Sequence, residues 1–420
     1  MCATKAVEAI KDDLIEFTQE LVRIPSLTCQ EGDLAKAILA KMEEFGFDEA
    51  WIDGSGNAIG VLRGEGKGPN VMLNTHLDAV PPGILENWEH DPYGAEIEDG
   101  KMFGRGTVDI KAGSAAHLFA MKILKDLRDE KGHKLPGDVI LSAVMDEENA
   151  TCFGADYLAR QEAPKKNLKY DICFLGEPTR GHVMLGHRGK VELVVTTKGE
   201  TAHSSTPWRG INAVQKMIPI LQYIFDKQQD ELKKRTHPKL GFSTVTVTNI
   251  LARPGALSIV PDECEISIDR RYVPGETLDS VVAEFEELFV KLKKEDPQFE
   301  ASVQPRMFHE VSWTGYEKDC PKFHEVWVVE EDNPFVQKTA KALQAIGQAV
   351  EYDYWKFGTD GSMFAGEMGI PCIGYQGGDE SQAHRYDEHI TLDELIMTAD
   401  GYAAILCELM DIDPKVLNEA

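Results

Sequence analysis

Short apolar runs alternate with stretches of helical periodicity through the first part of the chain, and this alternation constrains the fold more than any other feature. The apolar runs are AIGVL (58–62), VMLN (71–74), VILSAVM (139–145) and DICFLG (171–176), with helical stretches from about Ala115 to Leu127 and from about Gly154 to Arg160. Short apolar runs of this kind are typical of buried strands, and a periodicity of 3.6 residues predicts helices. The pattern therefore predicts an α/β fold in which helices cover a sheet.

A second pattern begins at Gly189. The strand-like runs VELVVTTKG, TVTVTNI and CEISIDRRYV are mixed with the helical stretches INAVQKMIPILQYIFDKQQ and SVVAEFEELFVKL. This antiparallel character predicts an inserted α+β domain over residues 189–313. Helix–strand alternation then returns, and we interpret the polar stretch from Thr314 to Lys322 as the return linker. Residues 1–188 and 314–420 are thus expected to form one domain that the insertion interrupts.

Length and charge limit the class of protein. A chain of 420 residues exceeds what one hydrophobic core usually organises, so two or three domains are expected. With 44 basic and 71 acidic residues the net charge is −27, which argues against nucleic acid or an anionic membrane as a partner. The N-terminal segment lacks an apolar signal core, and the eight scattered cysteines form no CxxC pair, so we expect a cytoplasmic protein with reduced thiols.

Imidazole and carboxylate side chains follow the predicted strands of the first domain. They are His76 and Asp78 in NTHLDAVPPG, Asp109 in GRGTVDIKAG, the doublet Glu147–Glu148 in MDEENATCFG, Glu177 in GEPT and His384 in AHRYDEHI. Neutral imidazole and carboxylates together are the ligands that a hydrolytic divalent metal requires. The set is large enough for two metals.

The chemistry of a two-metal site assigns some of these residues to roles. Paired metals about 3.5 to 4 Å apart need a bridging carboxylate, and Asp109 is the natural bridge. His76 comes at the end of a buried strand, and Asp78 two positions later can accept the hydrogen of its other ring nitrogen. The adjacent acids Glu147 and Glu148 project differently, so we assign Glu148 as a ligand and Glu147 as the general base.

Each of these signals has an ordinary explanation when it stands alone. A His-Xaa-Asp triplet is usually a surface turn, and an acidic doublet is usually a solvated helix start. Two rival chemistries fit poorly. The segment GRGTVD fails the GxGxxG dinucleotide pattern because its last position is Asp109, and no serine lies in a GxSxG elbow.

Taken together, the motifs resemble those of the dinuclear zinc aminoacylase and carboxypeptidase family, which includes acetylornithine deacetylase, succinyl-diaminopimelate desuccinylase and glutamate carboxypeptidase. The resemblance runs along the whole chain, from IPSLTCQEG through NTHLDAVPPG, GRGTVDIKAG, DEENATCFGADYL, HRGKVELVVTTKGETAHSSTP and IDRRYVPGE to GTDGSMF. It implies a mixed-sheet hydrolase domain with two Zn²⁺ per subunit, for which Co²⁺ or Mn²⁺ can substitute. By this resemblance His76 and Glu177 hold one zinc, Glu148 and His384 hold the other, and Asp109 bridges them.

The resemblance also gives the inserted domain a role. Family members carry a lid that mediates dimerisation, so a homodimer through the lid is expected. His203 matches the lid histidine that stabilises the oxyanion in the partner's active site, and Arg271 matches the arginine that binds a substrate carboxylate. Gly358 and Thr359 match a loop at the substrate's carboxylate end. Without the family, His203 and Arg271 would be ordinary surface residues.

The expected activity is hydrolysis of the amide bond of a small N-acyl amino acid or short peptide that carries a free carboxylate. Attack by a zinc-bound hydroxide, with Glu147 as general base, is the implied mechanism. Two alternatives are an N-carbamoyl amino acid amidohydrolase and a metal-free relative that only binds ligands. One departure affects substrate identity: the family often has Asn-Xaa-Ile-Pro where this chain reads Ser258-Ile259-Val260-Pro261.

Overall fold

The computed structural model describes residues 3–419, and its largest element is a nine-stranded mixed sheet. Its spatial order is Glu49–Ile52, Ala58–Leu62, Val139–Val144, Val71–His76, Ile172–Leu175, Cys372–Gly374, Val183–His187 and Trp327–Val328, with Tyr352–Trp355 also paired to Val183–His187. The strands Val139–Val144, Val71–His76 and Ile172–Leu175 are parallel neighbours, and those at one edge are antiparallel. The predicted α/β class with a mixed sheet is confirmed.

Helices cover this sheet because their apolar faces are buried against its strands. The α-helices of the chain are Lys5–Glu8, Lys11–Arg23, Gly32–Glu44, Ala112–Asp129, Phe153–Tyr157, Ala163–Lys166, Ala213–Tyr223, Gln229–Leu232, Leu278–Glu295, Pro334–Ala345 and Leu392–Leu409. Ala112–Asp129 and Leu392–Leu409 contribute long buried stripes to the main core, and the latter begins with a capping box of Thr391 and Glu394. Among residues 3–419, no helix is long and apolar enough to cross a membrane.

A second, five-stranded antiparallel sheet has its own hydrophobic core. Its order is Thr244–Arg253, Glu263–Tyr272, Gly189–Lys198 and Ala301–Pro305, with Phe323–His324 also paired to Gly189–Lys198. Residues alternate between buried and half-buried along Gly189–Lys198 and Glu263–Tyr272, so one face packs on helices Ala213–Tyr223 and Leu278–Glu295. The other face carries the half-buried residues, among them Lys190 and Arg271.

Three smaller sheets contain the remaining strands, and one of them includes a stretch that was interpreted as a linker from the sequence. They pair Thr236–His237 with Gly241–Phe242, Met307–Val311 with Glu317–Pro321, and Ile97–Glu98 and His389–Thr391 with Lys101–Phe103. The stretch Thr314–Lys322, interpreted as a linker because it is polar, is mostly the second strand of a hairpin. Only Cys320 of this strand is buried, which explains why the stretch carries so little apolar signal.

Candidate metal centre

The sheet brings the predicted metal ligands to one edge. The parallel strands Val71–His76, Val139–Val144 and Ile172–Leu175 end at the same side, so the residues that follow them meet there. His76 is the last residue of its strand, Glu147 and Glu148 follow the second strand, and Glu177 follows the third. The turn Thr107–Lys111 brings Asp109 to the same edge.

Five side chains form a continuous chain of contacts at this edge. Asp109 lies at the centre: its Oδ1 is 3.1 Å from Nε2 of His76, and its Oδ2 is 3.2 Å from Nε2 of His384. His384 Nε2 is also 3.0 Å from Glu148 Oε2, and His76 Nε2 is 3.7 Å from Glu177 Oε1. One carboxylate therefore contacts two imidazoles, each of which contacts a second carboxylate.

These separations fit metal ligation. Zinc binds imidazole nitrogen and carboxylate oxygen at about 2.0 to 2.2 Å, so two ligand atoms of a tetrahedral site lie roughly 3.4 Å apart. The contacts of 3.0 to 3.7 Å lie around that value. The donor set of nitrogen and oxygen atoms, which are mostly buried, suits divalent cations.

The negative charges of the buried carboxylates also favour the binding of cations. Burial, together with the Glu177 carboxylate, raises the pKa of Glu147 well above its usual range. Hydrogen bonds that His384 donates to the carboxylates of Asp109 and Glu148 raise its pKa to about 10. Burial opposes ionisation of Asp109, but its hydrogen bonds with His384 and His76 outweigh that effect and hold its pKa below the usual value. The carboxylates therefore stabilise positive charge within this cluster.

Asp78 contacts His76 and the main chain of the acidic doublet Glu147–Glu148. The main-chain oxygen of Asp78 lies 2.9 Å from Nδ1 of His76, whereas its carboxylate Oδ1 lies 3.4 Å away. The Nδ1 hydrogen therefore points to Asp78, and the Nε2 lone pair faces the metal centre. The carboxylate instead accepts hydrogen bonds from the main-chain N–H of Glu147 at 3.0 Å, that of Glu148 at 3.1 Å and the Thr28 hydroxyl at 2.8 Å. It thus positions the acidic doublet.

A buried ion pair holds the turn that carries Asp109. Oε1 of Glu388 accepts hydrogen bonds from the main-chain N–H of Val108 at 3.0 Å and that of Asp109 at 3.3 Å, and Oε2 accepts one from Arg105 at 2.5 Å. Both charged side chains are almost fully buried. Sequence reasoning missed Glu388 and Arg105, although both lie within motifs that carry ligands, four residues from His384 and Asp109 respectively.

A cavity of about 300 Å³ opens onto the metal centre. Its walls are polar: Asp109, Glu147, Glu148, Glu177, Lys190, Arg271, His324, Glu380 and His384 line it, with Ala150, Phe357, Gly358 and Ala383. Arg271 comes from the second sheet and makes two hydrogen bonds to the carboxylate of Asp269, at 2.8 and 3.1 Å. Lys190 and His324, also from that sheet, were not found by sequence reasoning.

The remaining predicted residues lie at different distances from this cavity. Gly358 lines it, and the main-chain N–H of the buried Thr359 donates to Nε2 of His187 at 3.1 Å. His203 does not line it: the side chain is exposed, and its Nδ1 accepts a hydrogen bond from the main-chain N–H of Ser205 at 3.1 Å. The single chain thus brings together every predicted metal ligand, Glu147, Asp78 and Arg271, but leaves His203 outside.

The fold and the donor set define a metal-dependent hydrolase, with ligands at the carboxyl ends of parallel strands and a polar cavity closed by a second sheet. Comparison with known sequences identifies the family: the chain belongs to peptidase family M20/M25/M40, whose sequence model matches residues 72–408. The resemblance stated from the motifs is therefore confirmed, and the protein is a metallohydrolase that acts on amide bonds.

Similar proteins span nearly the whole chain. The uncharacterized protein YgeY of Escherichia coli K12 is 34% identical over 410 residues, covering 95% of this chain and 96% of that protein. The succinyl-diaminopimelate desuccinylase of Corynebacterium glutamicum is 29% identical over 395 residues, covering 91% and 93%. The crystal structure of the aminopeptidase PepT from Bacillus cereus has the same fold, with a TM-score of 0.73 at 22% identity, and covers 95% of this chain and 98% of that one.

Proposed function

We propose that the protein hydrolyses the amide bond of a small N-acyl amino acid or short peptide with a free carboxylate, using two zinc ions. The observation that carries this proposal is the contact chain centred on Asp109, which shares one cavity with Glu147 and Arg271. The relative from Corynebacterium glutamicum, named succinyl-diaminopimelate desuccinylase, supports this substrate class.

In this proposal each side of Asp109 holds one cation. His76 and Glu177 would hold one, Glu148 and His384 would hold the other, and Asp109, which contacts both histidines, would be shared. When bound, the metals supply Lewis acidity, which lowers the pKa of water and polarises a carbonyl group. Asp78 keeps the His76 ring in the required tautomer and holds the main chain of the acidic doublet.

Glu147 is the group that moves the proton. Its carboxylate lies within the same buried cluster as His76 and Glu177 but is not part of the contact chain around Asp109. A carboxylate whose pKa is raised by burial is a better base at neutral pH than an exposed one. A Glu147 oxygen takes the proton of the attacking water and then delivers it to the nitrogen of the leaving amine.

The charged walls of the cavity limit which acyl groups the substrate can carry. Arg271 offers its guanidinium to the free carboxylate, and nine of the 13 lining residues are charged or histidine. A wall of this kind disfavours a long apolar acyl chain, because burying charged groups against hydrocarbon without partners is costly. The expected acyl group is therefore short or polar.

Residues 189–313, which supply all but one strand of the second sheet, are proposed to act as a lid and dimerisation domain, with residues 1–188 and 314–420 as the catalytic domain. The short strand Phe323–His324 joins the second sheet from the catalytic segment. Because His203 lies outside the cavity of its own chain, we assign it to the partner's cavity, where it would donate a hydrogen bond to the developing oxyanion. The proposed enzyme is a cytoplasmic homodimer.

A hydrolysis screen tests the proposal. Protein loaded with zinc should release amine from acetyl, succinyl or dipeptide substrates that carry a free carboxylate, and should not act on their carboxyl methyl esters. Turnover of ureido compounds alone would favour N-carbamoyl amino acid hydrolysis instead. Zinc-loaded protein that hydrolyses none of these, in a panel that varies the amino acid, would contradict the proposal and favour a binding protein.

A further inference from the structure

Three neighbouring strands place three hydrogen-bonding side chains in one line along the wall of the cavity. Arg271 is directly opposite Lys190 in the sheet register, and Lys190 is directly opposite His324. Directly opposed residues of antiparallel strands project from the same face of the sheet. All three line the cavity, and we call Arg271, Lys190 and His324 the donor row.

The two cations of the donor row have spare donors. Arg271 uses Nε and Nη2 for Asp269, and its Nη1 makes no hydrogen bond within residues 3–419. The Lys190 ammonium forms an ion pair with Oε1 of Glu192 at 3.6 Å, which is too long for a hydrogen bond, and the Lys190 side chain is only 16% exposed. A partly buried ammonium without a close acceptor is unusual unless a ligand supplies one.

His324 is the more unusual member. Its side chain is buried, yet neither ring nitrogen has a hydrogen-bond partner in the described part of the chain. Gly358 makes room for the ring, because a Cβ atom at that position would lie 1.8 Å from Nδ1. Burial, together with the neighbouring side chains of His187, Lys190 and Arg271, holds the pKa of His324 well below its usual value, so the ring is neutral and offers one N–H donor.

We propose that Lys190 and His324 form a subsite for a second carboxylate, carried by the acyl part of the substrate, while Arg271 binds the carboxylate of the amino-acid part. This inference rests on the proposed function and names its substrate class. Spare donors in a cavity select for acceptors, and hydrogen bonds from a cation to a carboxylate are about twice as strong as those between neutral groups.

The spacing of the row selects the length of the acyl group. Neighbouring strands are about 4.8 Å apart, so a point between Lys190 and His324 lies roughly 7 Å from Arg271. In an N-succinyl amino acid, six bonds separate the two carboxyl carbons, which is about 7 Å in an extended chain. An N-terminal aspartyl residue of a dipeptide gives the same separation. The subsite therefore fits a four-carbon dicarboxylic acyl group from either source.

The experiment compares four substrates built on one amino acid: the N-succinyl, N-succinamoyl and N-acetyl derivatives and the aspartyl dipeptide. The succinamoyl compound replaces only the distal carboxylate by an amide. Wild-type enzyme should prefer the succinyl or the aspartyl compound to the succinamoyl compound by at least about 10-fold in kcat/KM. Which of these two is preferred decides between an acylated amino acid and an acidic peptide.

Substitutions in the donor row test whether its side chains cause the preference for a dicarboxylate substrate. Lys190→Met should lower kcat/KM for the dicarboxylate substrate about 10- to 100-fold, mainly through KM, and change the acetyl substrate less than about threefold. Lys190→Arg should keep the preference, and His324→Phe, which keeps a ring without donors, should weaken it. Lys198→Met, at the exposed end of the same strand, is the matched control and should behave as wild type. Zinc content and melting temperature confirm that each variant is folded and loaded.

Two results would overturn the inference while leaving the proposed function intact. One is equal hydrolysis of the succinyl and succinamoyl compounds together with poor use of the aspartyl dipeptide. The other is an equal loss on dicarboxylate and acetyl substrates in Lys190→Met, which would place Lys190 on the same carboxylate as Arg271. If the zinc-loaded wild type hydrolyses none of the four compounds on any amino acid of a panel, the proposed function itself fails.

Discussion

Replacement of Asp78 by asparagine should loosen the metal centre without removing a ligand. The carboxylate accepts hydrogen bonds from the N–H groups of Glu147 and Glu148 and from the Thr28 hydroxyl. An asparagine side chain has one oxygen and one NH₂ group, so in either orientation at least one main-chain N–H of the doublet faces a donor. Leaving one buried N–H unpaired costs about 1–3 kcal/mol, and the other bonds lose their charge assistance.

The expected effect of Asp78→Asn is a loss of about 10- to 100-fold in zinc affinity or in kcat, because each 1.4 kcal/mol corresponds to a factor of 10. Competition with a chromophoric chelator measures the affinity, and turnover at saturating zinc measures kcat. Thr28→Val is the matched control, since it removes one hydrogen bond but keeps the charge and both amide contacts. Thr28→Val should lose less zinc affinity and less kcat than Asp78→Asn.

The metal-free Asp78→Asn protein should melt within a few degrees of wild type. The negative charge of Asp78 raises the pKa of the buried carboxyls of Glu31 and Asp146, second only to burial, so its removal relieves repulsion and offsets part of the lost hydrogen bonding. Wild-type zinc affinity and wild-type kcat in Asp78→Asn would refute this reasoning, and so would a Thr28→Val variant with the larger defect.

Three further predictions follow from the same geometry. Asp109→Ala should lower the occupancy of both metals, whereas His384→Ala should lower only one; elemental analysis showing wild-type zinc in Asp109→Ala would exclude a bridge. Because the pKa of His384 is raised to about 10 without metal, it carries a proton that zinc must displace at pH 7.5. Zinc affinity should rise with pH towards 10, and calorimetry in buffers of different ionisation heat should detect the released protons; a pH-independent affinity would contradict this. Mixed His203→Ala and Glu147→Gln proteins should regain activity in up to about a quarter of all sites after subunit exchange, and fully exchanged mixtures without activity would exclude a role for His203 in the partner's site.

The part of the site that was predictable from sequence is the part that depends on strand ends. VMLN lies within an observed strand, VILSAVM extends one residue beyond a second strand, and DICFLG spans a third. The polar residues that follow these runs therefore had to converge once the strands paired in parallel. Asp109 and His384 lie on irregular segments between elements, and they were predicted from their chemistry and from the family motifs rather than from periodicity.

Lys190 and His324 could not be predicted because they meet through sheet register. The two residues are 134 positions apart, and only the pairing of Phe323–His324 with Gly189–Lys198 brings them side by side. The two-residue strand is too short to produce an alternating pattern. The same limitation explains the hairpin strand Glu317–Pro321, whose polar residues were interpreted as a linker. A register between distant segments is decided by the packed core and not by local sequence.

The most direct test of the central claim is the Glu147→Gln variant, analysed for metal and for turnover in the same preparation. The claim is that His76, Asp109, Glu148, Glu177 and His384 hold the metals while Glu147 moves the proton. Glutamine keeps the shape of the side chain but cannot take a proton from water. The variant should therefore retain the zinc content of wild type and lose about 10²- to 10⁴-fold or more in kcat. Turnover close to wild type, or a loss of zinc together with activity, would contradict this division of roles.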